Sequence, residues 1–578
     1  MKLSLGFPLA VAASLFLAAC GPAAAPAPTA APAAAPTTAP AAKPTTAAAA
    51  ATTAPAAAAP TAAAAAKPTE AAAAKPTAAP AAAAAGKPVK GGQLTVAMGR
   101  DATTFDPTKS QDVYSNAIIG LVSNSLYKVD EKGDVVGELV EKTENPQPNV
   151  YVMTLHKGIK FQDGTDLNAE AVKWNLDRHR NDPKATTIQD VKDITSIETP
   201  DPVTVKITLN APFAPFPSKL VTGAGYMQSP AAVQKLGDNL QRDLTGAGSG
   251  PYKFVSWQKD ISIILERNSD YWEKDADGTQ LPYMDKVIFK SFPDENVRLT
   301  NLKTGDADVL LGNPPFKDYD DLKKTQDLTV KEIPGLGFSF IFLNTAKEPF
   351  NKPEMRRALA YALDRDQIRN TVYFGAGKTL QLPVPEVLPW AYLNDGLTYG
   401  KRDIDKAKQE LQKGGISNPT FTFQISNASP EQQQIAELVK DQIKEAGISM
   451  EIQLIEFATI VQNGNTGEYQ ALALGWSGTV DPDGDTYPLF YTKAGFNFAK
   501  WGNPTFDKLL DDGRQNLDQA KRGQAYKDAQ KILLDEQPMV IYWNSPQIST
   551  VRKEIQNYPQ TYNGFWGSRD YGKIWRQK

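Results

Sequence analysis

The chain is almost devoid of cysteine, since Cys20 is the only one among 578 residues. Histidine is nearly as rare, with only His156 and His179. One cysteine and two histidines cannot build a zinc site of the cysteine–histidine kind. The sequence places His156 on the solvent face of a strand and His179 at the end of a helix, where neither needs a catalytic role. We therefore expect no metal, no cofactor and no enzymatic activity.

Long hydrophobic runs are also missing. The longest candidate, residues 3–19, is shorter than the ~20 apolar residues that span a bilayer comfortably. Lys2 precedes this run and small residues precede Cys20, a pattern typical of an export signal. We therefore expect residues 1–19 to be a signal peptide rather than a permanent transmembrane helix.

The residues around the cysteine, Leu17-Ala18-Ala19-Cys20, resemble the lipobox of bacterial lipoproteins. The resemblance implies cleavage before Cys20 and a diacylglyceryl group on its sulfur. The alternative is an ordinary secretory signal that ends in cysteine. Because the chain has no second cysteine to pair with it, the lipid is favoured. We expect an extracytoplasmic protein, anchored by lipid to the bacterial cell membrane on its periplasmic or cell-surface side.

Large apolar side chains are absent from residues 21–87, which consist almost entirely of Ala, Pro and Thr. Such a segment cannot offset its ordering entropy by burial, and its prolines interrupt helix formation. We expect residues 20–90 to form a disordered tether that starts at the lipidated cysteine. In an extended proline-type form, at ~3.1 Å per residue, it reaches at most ~200 Å.

An excess of basic residues is likewise missing. The formal net charge is −3, which argues against a nucleic-acid-binding surface. About 490 residues remain after the tether, more than one hydrophobic core usually organises, so two or three domains are expected. Their second half alternates between helices and strands, which indicates α/β layers. The helices are predicted at 353–365, 404–413, 430–446, 504–516 and 519–536, and the strands at 420–424, 449–455 and 471–475.

Two segments superficially resemble cofactor loops. Residues 375–379 resemble the end of a phosphate-binding loop, but Val372 stands where its first glycine belongs. Residues 481–485 resemble a calcium loop, but Thr486 and Thr492 replace the required Gly and Glu. Neither segment supports a cofactor site.

A set of stretches in fixed order is more informative than any single motif. They are residues 155–165 (LHKGIKFQDGT), 248–252 (GSGPY), 267–272 (RNSDYW), 281–285 (LPYMD), 356–359 (RRAL) and 503–510 (NPTFDKLL). Together they resemble the family 5 solute-binding proteins of ABC importers, the group of dipeptide, oligopeptide, nickel and some oligosaccharide binders. The resemblance extends from residue 92 to the C-terminus.

This resemblance implies an α/β, two-lobed fold of the periplasmic-binding-protein type II-like class. It is the large class, with an extra subdomain in lobe I and two hinge crossings. We expect lobe I at 91–124, 244–334 and 549–578, the extra subdomain at 125–243, and lobe II with the hinge crossings at 335–548. The implied monomer closes over a small solute and delivers it to an ABC permease in the membrane, driven by a cytoplasmic ATPase.

The segment after a predicted central strand corresponds to the family's ligand cleft and places Trp476 there. Peptide binders of the family carry an Asp three residues after this Trp, which pairs with the ligand's ammonium group. Here that residue is Thr479, whose neutral hydroxyl cannot supply a buried counter-charge. Asp481 is a possible substitute, so peptide specificity stays open.

Aromatic residues of lobe II favour a different ligand, since aromatic rings stack on the apolar faces of sugars. The predicted ligand-binding residues are Trp476, Thr479, Asp481, Trp390, Asn497 and Trp501 in lobe II and Tyr114 in lobe I. Oligosaccharide is slightly favoured over peptide. Two other functions remain possible at this stage: a secreted glycosidase that uses paired carboxylates, and a sensor that reports ligand to a membrane receptor.

Overall fold

The computed structural model describes residues 87–110, 112–559 and 570–577. Cys20, the predicted signal peptide and most of the predicted tether lie outside the described residues. Within the described part, no helix is both long and apolar enough to cross a membrane.

The first lobe starts with one strand and one helix, β1 (Gln93–Met98) and α1 (Val113–Val122). Five of the six residues of β1 are buried, as expected for a strand inside a sheet covered on both faces. The helix begins after Asp112, whose carboxylate accepts hydrogen bonds from the backbone N–H groups of Tyr114 and Ser115. This N-cap fixes where the chain turns after β1.

The extra subdomain follows and forms a sheet of its own. Its strands are β2 (Tyr127–Val129), β3 (Val135–Gly137), β4 (Val140–Gln147), β5 (Val150–Leu155), β6 (Ile194–Asp201) and β7 (Thr204–Leu209). Its helices are α2 (Ala169–Asn181), α3 (Ile188–Val191), α4 (Phe216–Lys219) and α5 (Pro230–Leu236). Four strands pair antiparallel in the order β4-β5-β7-β6. Met153, Val172 and Val205 are fully buried in a core separate from the rest of lobe I.

The chain then completes lobe I and passes into lobe II. The elements of lobe I are β8 (Tyr252–Gln258), β9 (Ser262–Arg267), β10 (Lys286–Ser291), α6 (Glu295–Thr304), β11 (Val309–Leu310) and α7 (Tyr319–Lys324). A long strand, β12 (Leu328–Leu343), leads into lobe II. Helix α6 ends at Gly305, whose φ of 87° is the left-handed conformation that glycine adopts at helix ends.

Lobe II consists of alternating helices and strands, which are α8 (Pro353–Ala362), α9 (Arg365–Val372), α10 (Ile404–Lys413), β13 (Thr420–Ser426), α11 (Pro430–Lys444), β14 (Ser449–Ile455), α12 (Phe457–Thr466), β15 (Ala471–Trp476), α13 (Pro482–Phe490), α14 (Pro504–Gln515) and α15 (Gln519–Glu536). The helix predicted at 353–365 starts where expected and ends three residues earlier, at Ala362. Asp364 then caps α9 by accepting a hydrogen bond from Gln367 N–H.

One sheet of ten strands runs through both lobes, in the order β14-β13-β15-β12-β16-β11-β1-β10-β9-β8. Here β16 (Met539–Arg552) returns from lobe II to lobe I, and β17 (Ile555–Gln556) and β18 (Trp575–Arg576) form a small sheet after it. The two crossing strands, β12 and β16, pair antiparallel, with a break in register between Pro334 and Phe338. The amide of Asn544 donates to the carbonyls of Gly335 and Gly337 inside this break.

Candidate ligand-binding cleft

The strand directions bring the carboxyl ends of strands from both lobes to one place. Strand β12 runs from lobe I into lobe II, and β15 pairs antiparallel with it, so β15 runs toward lobe I. Strand β1 is parallel to β11, which is antiparallel to β16, so β1 runs toward lobe II. Met98 and Trp476, the last residues of β1 and β15, therefore both face the junction. A crevice outside the carboxyl ends of strands is where open α/β sheets bind ligands.

The lobe II wall begins with Trp476 and continues into a tight turn. Trp476 is half-buried, and its indole lies edge-on to Phe496 with 5.6 Å between ring centroids. Phe496 is 51% exposed. These two rings give the wall an apolar surface that is partly exposed to solvent.

The turn packs directly against the crossing strand. Gly478 has a φ of 76°, and a Cβ added to it would lie 2.2 Å from the carbonyl carbon of Leu336. Only glycine fits a position with this backbone conformation and this close approach. The cleft wall and the hinge region are therefore in backbone contact.

Thr479 follows in the same turn and is half-buried. Its Oγ1 lies 2.7 Å from the carbonyl oxygen of Asp481 and 3.2 Å from Oδ1 of Asp485. A Cβ added to Gly484 would lie 2.4 Å from Thr479 Oγ1, so the absence of a side chain there makes room for the hydroxyl. The hydroxyl is thus held between a backbone carbonyl and a buried carboxyl group.

That carboxyl group, Asp485, was not among the residues predicted from the sequence. It is fully buried in α13, and its Oδ1 also accepts a hydrogen bond of 3.2 Å from the indole N–H of Trp476. Burial is the main reason why the pKa of Asp485 lies well above the ordinary aspartate value. A helix start at Asp481-Pro482 is a recognisable signal, since an N-cap aspartate followed by proline commonly opens a helix. This signal would have placed Asp485 on the first turn of a helix beneath Thr479.

Asp481 has a structural role in this arrangement. Its carboxylate accepts from the N–H of Asp483 at the start of α13 and forms two hydrogen bonds, of 2.7 and 2.8 Å, with the guanidinium of Arg522. Both side chains are buried. Because Arg522 already occupies this carboxylate, Asp481 is not a free counter-charge for a ligand.

Trp390 belongs to the same group of residues and lines a cavity. The Arg522 guanidinium lies 5.2 Å from the centre of the Trp390 ring. Trp390, Val480 and Asp481 line one side of a cavity of about 410 Å³, and Asp134 and Pro215 of the extra subdomain line the other. The structure thus places Trp390 where the subdomain faces lobe II.

Tyr114 lies in lobe I, beside the end of β1. A Cβ added to Gly99 would lie 2.8 Å from its hydroxyl and 2.9 Å from Nη1 of Arg298. The guanidinium of Arg100 lies 5.5 Å from the centre of the Tyr114 ring. The ring of Tyr114 therefore lies close to two arginines beside the end of β1.

Asn497 and Trp501 are buried parts of the lobe II core. The Asn497 amide donates to the carbonyls of Tyr491 and Trp501, and the Trp501 ring packs edge-on against Phe506 with centroids 5.0 Å apart. Their exposed fractions are 5% and 6%. The amide of Asn497 therefore bonds within its own loop, and the Trp501 ring packs into the lobe II core.

Comparison with known proteins identifies the family. The model of the bacterial extracellular solute-binding proteins, family 5, middle region, matches residues 134–498 of this chain. The chain belongs to this family. The resemblance inferred from the sequence motifs is confirmed, and so is the two-lobed fold.

Two kinds of relative illustrate this membership. A glutathione-binding protein GsiB from Pectobacterium atrosepticum is 28% identical over 483 residues, which cover 80% of this chain and 90% of that protein. The periplasmic binding protein DppA from Helicobacter pylori, solved with the peptide STSA, is 25% identical with a TM-score of 0.69 and covers 85% of this chain and 99% of its own. The oligopeptide-binding protein AppA from Bacillus subtilis, solved with a nonapeptide, is 25% identical with a TM-score of 0.67 and covers 85% of this chain and 100% of its own.

Proposed function

We propose that this family 5 protein is the substrate-binding component of an ABC importer and that it captures a short peptide or a peptide-like molecule such as glutathione. The observation that carries the proposal is the meeting of the carboxyl ends of β1 and β15 at the junction of the two lobes, where β12 and β16 cross from one lobe to the other. The relatives named for glutathione and for peptides support this ligand class.

Capture follows from the two crossing strands. Ligand binds to one lobe, and rotation about the break between Pro334 and Phe338 brings the other lobe onto it. Closure excludes water, which strengthens polar contacts to the enclosed ligand. Gly478, in backbone contact with Leu336, links the position of the ligand wall to the conformation of this hinge. The closed form then docks on a permease, and ATP is hydrolysed by a separate subunit.

An oligosaccharide is the second candidate ligand, because Trp476 and the exposed Phe496 present aromatic faces at the cleft. Native mass spectrometry of the purified protein, followed by titration calorimetry with tri- to pentapeptides, glutathione and maltotetraose, separates the two classes. We expect binding of a peptide or glutathione and no hydrolysis of any oligosaccharide. Exclusive binding of maltotetraose would reject the peptide assignment, and release of shorter sugars would reject a pure binding role.

The lipid anchor is proposed from the sequence around Cys20. Attachment through a long tether would keep the captured ligand close to the permease. Cys20→Ser should abolish lipid addition and shift the protein from the membrane fraction to a soluble or unprocessed form. Fractionation and intact-mass measurement provide the readout, and an unchanged mass and membrane partition would contradict lipidation.

A further inference from the structure

An aromatic ring from lobe I packs onto lobe II beside the hinge. Phe316 lies in the loop between β11 and α7 and contacts two rings of lobe II, Tyr373 and Trp543. It meets them edge-on, at 85° and 86°, with 5.9 and 5.6 Å between ring centroids. The strength of an aromatic pair depends on the relative orientation of its rings. The contact of Phe316 is therefore sensitive to how lobe I is turned relative to lobe II.

Tyr373 and Trp543 form a stacked pair that belongs to lobe II. Their rings are parallel to within 1°, with centroids 3.5 Å apart, and they are 0% and 5% exposed. The Tyr373 hydroxyl donates to Oε1 of Glu431 in α11 over 2.7 Å, and the Trp543 indole N–H donates to the carbonyl of Ala376 over 3.0 Å. Because the stacked pair is buried and bonded within lobe II, it moves with that lobe.

Phe316 moves with lobe I, because the start of its loop is fixed to the lobe I side of the hinge. The side-chain amide of Asn313 donates to the carbonyl of Pro546 and accepts from the N–H of Ile548, each over 2.8 Å. Pro546 and Ile548 lie on the lobe I side of the break in register between the crossing strands, whereas Trp543 lies on the lobe II side. The contact between Phe316 and the stacked pair therefore spans the hinge.

The lobe II turn at 374–378 is fixed beside this contact. The N–H of Gly377 donates to Oε1 of Glu332, in the lobe I part of β12, over 3.0 Å. Phe374 in the same turn has a φ of 51°, which bulky side chains rarely adopt. Such strain persists only where the surrounding structure imposes it. The turn that carries the stacked pair is thus held in one position relative to the hinge.

The Phe316 contact is present in a structure whose lobes are closed elsewhere. The N–H of Ala214, in the extra subdomain, donates to the carbonyl oxygen of Arg514 in lobe II over 2.8 Å. A rotation about the hinge that separates these two atoms also turns Phe316 relative to the stacked pair. Packed side chains interlock closely, so even small displacements lose contact. The edge-on geometry of Phe316 is therefore a property of the closed arrangement.

We propose that Phe316 and the stacked pair form a latch that favours the closed lobes, so that side chains beside the hinge set how tightly the protein holds its ligand. The inference rests on the proposed binding function and deepens it by a residue that acts through the lobe equilibrium. A ligand that binds the closed form gains apparent affinity in proportion to the population of that form. Two edge-on ring contacts change this population by a factor on the order of 10.

Hydrogen–deuterium exchange of the full-length protein without ligand tests the latch at a distance from it. The N–H of Ala214 is bonded across the lobes and reports their separation. We expect Phe316→Ala to accelerate exchange at Ala214 on the order of 10-fold and to leave exchange at Met153, in the core of the extra subdomain, unchanged. Phe316→Leu keeps the apolar bulk without the ring and should accelerate it less. Unchanged exchange at Ala214 in Phe316→Ala would overturn the latch.

A matched control and a ligand titration complete the test. Lys317→Ala changes the next residue, whose side chain is 53% exposed and pairs with Asp318, and should alter neither exchange nor affinity. Calorimetric titration with glutathione and with trialanine should show on the order of 10-fold weaker binding by Phe316→Ala. Equal or tighter binding by this variant would overturn the latch. Failure of the unmodified protein to bind either probe would count against the proposed ligand class alone, because exchange at Ala214 decides the latch without ligand.

Phe316→Leu also provides a reading if Phe316→Ala fails to fold. In that variant, exchange at Ala214 as slow as in the unmodified protein would show that the edge-on ring does not favour the closed lobes.

Discussion

The guanidinium of Arg514, in lobe II, lies 5.1 Å from the centre of the Phe213 ring, in the extra subdomain of lobe I. The same two segments also form a backbone hydrogen bond. The N–H of Ala214 donates to the carbonyl oxygen of Arg514, with 2.8 Å between nitrogen and oxygen. Arg514 is held in place by two hydrogen bonds to Asp483 and by stacking 3.5 Å above Tyr487. The extra subdomain therefore contacts lobe II through a rigidly supported arginine.

This contact should favour the closed arrangement of the lobes, and Phe213→Ala tests it. A cation–π contact of this kind contributes about 0.5–1 kcal/mol at exposed sites. Its loss should weaken ligand affinity by about 2- to 5-fold and enlarge the radius of gyration of the ligand-free protein in small-angle scattering. Phe213→Tyr, which keeps the aromatic ring, is the matched control. An unchanged radius and affinity in Phe213→Ala would show that the contact has no influence on closure.

Gly478 should be intolerant of any side chain, and the chain offers a closely matched control. Gly478 and Gly396 share a φ of 76°, but a Cβ on Gly396 would meet nothing within 4 Å. Gly396→Ala should therefore lower the free energy of unfolding by only about 1 kcal/mol, the cost of placing a side chain on a left-handed backbone conformation. Gly478→Ala adds a clash with the Leu336 carbonyl, and we expect a loss of about 3 kcal/mol or more. Urea denaturation measures both, and equal losses would mean that the close approach to β12 relaxes freely.

Asp481 should matter for stability through its pair with Arg522. Asp481→Asn keeps the helix cap but leaves the buried guanidinium without its counter-charge, which typically costs 3–5 kcal/mol. The double variant Asp481→Asn with Arg522→Met removes both charges and should recover most of that loss. Chemical denaturation of the three proteins forms the comparison. If Asp481→Asn alone were as stable as the unmodified protein, the ion pair would be dispensable for stability.

Much of the secondary structure follows from local sequence patterns. Asn168 caps the start of α2, and Gly305 ends α6. These features depend on residues a few positions apart, so the chain alone specifies them. The family motifs added the two-lobed fold, because they report on packing that no local pattern reveals.

Fewer residues of the cleft could be predicted from the sequence, because their positions depend on how the chain packs. Trp476 and Thr479 were predicted at the cleft and lie at the end of β15, which runs toward lobe I. Asn497 and Trp501 were chosen for their residue types, yet both are buried within their own loop. Asp485 was overlooked because its segment was compared with a calcium loop rather than a helix. Which polar groups remain unpaired depends on the folded neighbours, and no spacing rule supplies that information.

His179 should make the protein less stable in mild acid. It is 1% exposed in α2, and its Nδ1 lies 2.6 Å from the Thr187 hydroxyl. Burial, together with the charge of Arg178, lowers its pKa from 6.5 to about 4, an effect that the charge of Asp106 partly opposes. The unfolded chain therefore binds a proton that the folded protein excludes between these two pH values. The resulting stability is fully present above pH 6.5 and is lost as the pH falls toward 4. The loss should reach about 3 kcal/mol.

The His179→Gln variant separates this contribution from that of the carboxylates, which titrate over the same range in both proteins. Glutamine carries no titratable group, so the difference in unfolding free energy between the two proteins should change by about 3 kcal/mol between pH 7.5 and pH 4. Urea denaturation at half-unit pH intervals measures this difference. Two parallel stability curves would show that His179 titrates alike in the folded and unfolded chains, contrary to its burial.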